Sequence, residues 1–111
     1  MNASLIGAND PPPFEALNAD GEAALLLICD HASCAVPEAL DGLGLDDATR
    51  TDHIGWDIGA AEVTRKLSVL LDAPAVLAGY SRLLIDCNRP AAAPDLVPPV
   101  AAGSPVPGNQ D

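Results

Sequence analysis

The run Ala23-Ala24-Leu25-Leu26-Leu27-Ile28-Cys29, closed by Asp30-His31, decides how the rest of the chain is read. It is short, unbroken and apolar, and polar residues bound it, the pattern of a strand buried on both faces of a sheet. Residues 1–21 ahead of it are polar and carry Pro11, Pro12 and Pro13 in succession, which can neither donate ladder hydrogen bonds nor continue a helix. They read as an extended lead-in. Behind it, Ala32 to Asp52 mixes Pro37, Gly42 and Gly44 with short apolar pieces, a loop with one or two helical turns. Asp57 is placed to cap a helix running to about Leu71, in which Ala60, Val63, Leu67 and Leu70 form one apolar stripe. Pro74 ends that helix. A second strand is expected over Ala75–Ala78, then a turn at Gly79, then a third strand over Leu83–Ile85 leading into Asp86-Cys87-Asn88-Arg89.

Residues 90–111 hold six of the 11 prolines, no Lys or Arg, and no regular period, so mostly irregular structure is expected there. The order strand, loop, helix, strand, strand over residues 22–111 argues for an α/β layer fold. Three short strands and one helix make a thin sheet, which reads as part of a larger α/β domain, incomplete in this chain.

Composition narrows the function classes. Sixteen acidic residues against five basic ones give a formal charge of -11, which repels phosphate backbones and anionic membranes, so nucleic acid is excluded as a partner. The three cysteines, Cys29, Cys34 and Cys87, are odd in number and lack CxxC spacing, which suits a reduced, cytoplasmic protein. No leader pattern opens the chain, and no apolar stretch approaches the roughly 20 residues needed to cross a bilayer.

Three blocks concentrate the chemistry. The first follows the apolar run: Asp30, His31, Ser33, Cys34 and Glu38 fall where ligands bind in open α/β sheets, beyond the carboxyl end of a strand. His31 there can ligate a metal through one ring nitrogen while an acceptor such as Asp30 holds the other, or can simply bond a loop carbonyl. The second, Asp52-His53-Ile54-Gly55-Trp56-Asp57, sets the other histidine and two carboxylates at a helix entrance, where His53 or Asp57 can complete a metal shell or orient water, or an Asp can serve only as a cap. In the third, Arg82 and Arg89 flank Leu83–Cys87. Their planar forks match a carboxylate ligand, or else pair with Asp86 and its neighbours as structural ion pairs. Cys34 as a nucleophile beside His31 or His53 is the weaker option, because nothing in the pattern supplies an electropositive pocket.

Taken together, LLLICDHAS (25–33), DHIGWDIGAAEVTRKL (52–67) and GYSRLLIDCNRP (79–90) resemble the N-formylglutamate amidohydrolase family, over about Ala24 to the end of the chain. The tail 106–111 is also similar, with Gln110 where that family more usually has Arg, and Cys34 stands where Asn is commoner. The resemblance implies a phosphorylase/hydrolase-like layered sheet with flanking helices, shared with zinc carboxypeptidases and aspartoacylases. It also implies hydrolysis of N-formyl-L-glutamate to formate and L-glutamate in histidine degradation. By the same resemblance His31 is the first zinc ligand, and Asn88-Arg89 holds the carboxylate of a small N-acyl amino acid, helped by Arg82 and Ser33. The His-x-x-Glu spacing of the relatives is absent, so Asp57, His53 or Glu38 stands as second ligand, with Asp57 and His53 as the catalytic candidates. A catalytically silent fragment, or a hydrolase of another N-acyl amino acid, are the alternatives.

Overall fold

The structure is a computed structural model and describes residues 4–110. Five strands and two helices are present: β1 (Phe14–Leu17), β2 (Leu27–Cys29), α1 (Asp47–Arg50), α2 (Ala60–Leu71), β3 (Ala75–Ala78), β4 (Val100–Ala101) and β5 (Ser104–Pro105), with 3-10 turns at Glu38–Gly44 and Pro107–Asn109. The main sheet has the order β1-β3-β2. β3 pairs with β2 in parallel (Leu27 opposite Ala75) and with β1 antiparallel (Phe14 opposite Ala78). β2, α2 and β3 therefore form a crossover unit, as parallel neighbours require.

β1 lies inside the segment read as a lead-in. The three prolines stop just before Phe14, and β1 is an edge strand, so they take nothing from the ladder. The Pro13 carbonyl accepts the Gly79 N–H at 2.9 Å, which carries the pairing past the end of β3. The apolar run 23–29 supplies only three strand residues, and β2 is the other edge rather than a doubly buried strand: Cys29 is buried, whereas Leu25, Leu26 and Ile28 are exposed. The third strand expected over Leu83–Ile85 is a turn. Ser81 captures it, its carbonyl accepting the Leu84 N–H at 3.0 Å and its hydroxyl the Leu83 N–H at 3.1 Å, a local alternative to a ladder.

α2 starts two residues later than expected. Gly59, at φ 86°, is its cap, and Asp57 contributes only a backbone carbonyl, to the Ala60 N–H at 3.0 Å. The helix meets the sheet through small residues: Ala60 and Ala61 pack on the cluster Cys29, Ala32, Ala75 and Leu77. Thr64 and Ser68 are buried with their hydroxyls bonded to the Ala60 and Ala73 carbonyls at 2.9 and 2.7 Å. Of the anticipated stripe only Ala60 faces the core. Val63, Leu67 and Leu70 are exposed, and the face turned to the three-stranded sheet is the row of small residues Ala60, Thr64 and Ser68.

A second cluster, Leu43, Leu83 and Val106, holds the loops. It anchors residues 90–110, where the β4–β5 hairpin is the only strand pairing among the described residues. The Asn109 amide donates to the Leu83 and Pro98 carbonyls at 2.7 and 2.8 Å. No described helix is long and apolar enough to cross a membrane.

Candidate functional site

His31 follows the carboxyl end of β2 by two residues and is 7% exposed. Its backbone carbonyl accepts the Asp57 N–H at 2.9 Å, which brings the loop before α2 against the strand end. Asp57 thereby places a carboxylate oxygen 3.4 Å from His31 Nδ1. On the other side of the ring, Asp86, itself 6% exposed, places Oδ1 2.7 Å from Nε2. The Asn88 N–H also donates to Asp86 Oδ1, at 3.0 Å. Arg82 joins the two carboxylates, with one guanidinium nitrogen 3.2 Å from Asp57 Oδ1 and the other 3.8 Å from Asp86 Oδ2. Burial works against the Asp86 charge, but the hydrogen bonds from His31 and Asn88 and the nearby guanidinium outweigh it and hold its pKa below the ordinary carboxylate value.

Gly55 lets the pieces meet. A Cβ at that position would run into the Arg50 carbonyl oxygen, so a side chain there would push the loop off. The Gly55 carbonyl accepts the Ser81 hydroxyl at 2.7 Å and the Arg82 N–H at 3.3 Å, which ties the turn bearing Asp57 to the turn bearing Arg82 and Asp86.

Two clefts flank this polar wall. One, of about 610 Å³, is lined by His31, Asp57, Asn88, Asp30, Ile28 and Val63. The other, of about 310 Å³, is lined by Arg82, Asp86, Arg89, Asp95 and His53. His31 and Asp57 are therefore brought together, while His53, largely exposed and bonded only to Asp52 at 3.1 Å, faces the second cleft. Arg89 pairs with Asp95 at 3.1 Å, donates to the Asn88 carbonyl at 3.3 Å and lines the second cleft, whereas Asn88 lines the first. Ser33 lines a third depression with Pro11, Phe14 and Arg65, and its hydroxyl accepts the Ala35 N–H at 3.0 Å. Glu38 is exposed at the start of a 3-10 turn, and Asp30 does not hold the ring of His31. Sequence reasoning passed over Asp86 as a member of the site and treated it only as an ion-pair partner. Its place in the third block, beside Asn88-Arg89, was the available signal.

Among the described residues no group of three or more His, Cys, Asp or Glu side chains is placed to hold a metal. The pair His31 and Asp57 offers a nitrogen and an oxygen donor, the kinds that zinc takes, but a catalytic zinc has three protein ligands. The donor set fits in kind and is short in number.

The site is thus a buried histidine between two carboxylates at the end of a parallel strand, with Arg82 bridging the carboxylates. The pattern that defines the N-formylglutamate amidohydrolase family matches residues 23–111, and the chain belongs to that family. No curated protein matches it. The crystal structure of the gene product Atu2144 from Agrobacterium tumefaciens is similar, with a TM-score of 0.92 and 34% sequence identity over 96% of this chain. The chain spans 42% of that protein's length.

Proposed function

We propose that the site serves metal-dependent hydrolysis of N-formyl-L-glutamate to formate and L-glutamate, in a phosphorylase/hydrolase-like fold related to zinc carboxypeptidases, acting in cytoplasmic histidine degradation. The observation that carries this reading is the buried His31, held by Asp86 at 2.7 Å and facing Asp57 across 3.4 Å at a strand end. His31 and Asp57 would hold zinc together with at least one further ligand, and zinc supplies Lewis-acid polarisation of the amide carbonyl and a nucleophile at neutral pH. Were the metal held by other donors, the exposed Asp57 carboxylate would be the group to take a proton during attack. Arg82 keeps the two carboxylates in place; Asn88, which lines the cleft of His31 and Asp57, would bind one glutamate carboxylate, and Arg82 with Arg89, which line the other cleft, the second. His53 and Ser33 face other surfaces and take no part in this scheme.

The test is formate release from N-formyl-L-glutamate with added zinc, alongside calorimetric zinc titration of the chain and of His31→Ala. Zinc binding that the substitution abolishes, with turnover reduced roughly tenfold or more in Arg89→Ala, a loss of about 1.4 kcal/mol of transition-state stabilisation, is expected. A second reading rests on the shortage of donors and the 42% span: the 111 residues alone are catalytically silent. Absence of both zinc binding and turnover selects it. Turnover of other N-acyl amino acids, but not the formyl compound, would move the substrate assignment within the same chemistry.

A further inference from the structure

We infer that Asp86 is the positioning residue of the site: it fixes His31 as the tautomer protonated on Nε2 and turns the Nδ1 lone pair toward Asp57 and the larger cleft. The argument starts from donor counting. An ionised carboxylate only accepts hydrogen bonds, and a neutral imidazole has one N–H to give. Two carboxylates face this ring, so it can satisfy only one. Asp86 is the nearer, at 2.7 Å against 3.4 Å, and is the more buried. Its other contacts define it as an acceptor: the Asn88 N–H enters the same oxygen at 3.0 Å and Arg82 stands beside the second. The ring nitrogen at 2.7 Å must then be the donor. The Asp57 side is left with an acceptor opposite an acceptor, which accounts for its longer separation and leaves a gap that a cation can fill. Orientation of a ligating imidazole by a carboxylate on its far nitrogen is a general means of presenting one lone pair.

This bears on the site proposed above, but it is read on the chain without metal or substrate, so its failure is separate from failure of the hydrolase reading. Long-range proton–nitrogen NMR distinguishes the tautomers, and with only two histidines a His53→Gln variant leaves His31 as the one imidazole. At about pH 9 the expected spectrum shows Nε2 protonated and Nδ1 bare. A proton on Nδ1, alone or with Nε2, overturns the inference. Asp57→Asn is expected to keep the Nε2–H form, whereas Asp86→Ala is expected to lose the single tautomer and show a mixture. A tautomer lost in Asp57→Asn, or kept in a folded Asp86→Ala, overturns the role of Asp86. Should Asp86→Ala fail to fold, the parent spectrum and Asp57→Asn still decide.

Discussion

Cutting the same side chain at two leucines tests where the core lies. Leu83 is 1% exposed, packed with Leu43 and Val106 beneath the turn that bears Arg82 and Asp86, whereas Leu70 is 79% exposed on α2. Leu83→Ala removes buried carbons and leaves a void, at a cost of about 2–5 kcal/mol. Against a total of roughly 5–15 kcal/mol for a domain, that is a large fraction. Leu70→Ala removes carbons already in water and is expected to stay within about 0.5 kcal/mol of the parent. Urea unfolding followed by circular dichroism measures both, and the gap should appear as a shift in midpoint at unchanged slope. On heating, each kcal/mol lowers Tm by about 4–8 °C for a domain near this size. Equal losses at the two positions would refute the assignment of the core, because they would mean that the stripe of α2 is buried in solution.

Asn109→Ala removes the hydrogen bond to the Leu83 carbonyl that ties the tail to the site-bearing turn and a second to Pro98 within the tail, and it should cost about 1–3 kcal/mol, with faster amide exchange over residues 98–110. Asp72, at the end of α2, accepts the Asn18 amide and the Glu22 N–H, and these contacts lower its pKa. A lowered native value stabilises the fold above the ordinary Asp value of about 3.9 and loses that contribution as pH falls through the native one. Asp72→Asn should therefore flatten the fall in stability on the acid side and leave its form near neutral pH unchanged, as measured by urea midpoints. Arg65 and Glu15 join α2 to β1 by a two-pronged but exposed pair, so Arg65→Ala should cost less than about 1 kcal/mol, and 1 M salt should erase most of the difference.

β3 and the body of α2 were legible because local pattern decides them: a four-residue apolar run before a glycine, and a helix ended by Pro74. β1 was not, since a proline run is an argument against strands only until its last member. Leu83–Ile85 has strand composition, but the Ser81 hydroxyl competes for the backbone, and such competition leaves no periodic trace. The face of α2 was misassigned because apolar spacing marks a stripe without saying what lies under it. Here the buried positions are Thr64 and Ser68, with the partly buried Ala60 and Ala61 packed on the sheet. At the site, strand-end position singled out His31, and the density of polar residues singled out Asp57. The partnership with Asp86 spans 55 residues and follows from the fold alone.

That span also sets an order of events on the ribosome. At about 5–20 residues per second, the 55 residues between His31 and Asp86 take about 3 to 11 s to make. Until then β2 can have emerged while its imidazole still lacks the partner nearest to it. The pin supplied by Asn109 comes later still, 26 residues beyond the Leu83 carbonyl that it holds. Closure of the pocket thus waits for Asp86 and then for Asn109, and a pause in translation between these two points would leave His31 open to solvent and to stray metal ions.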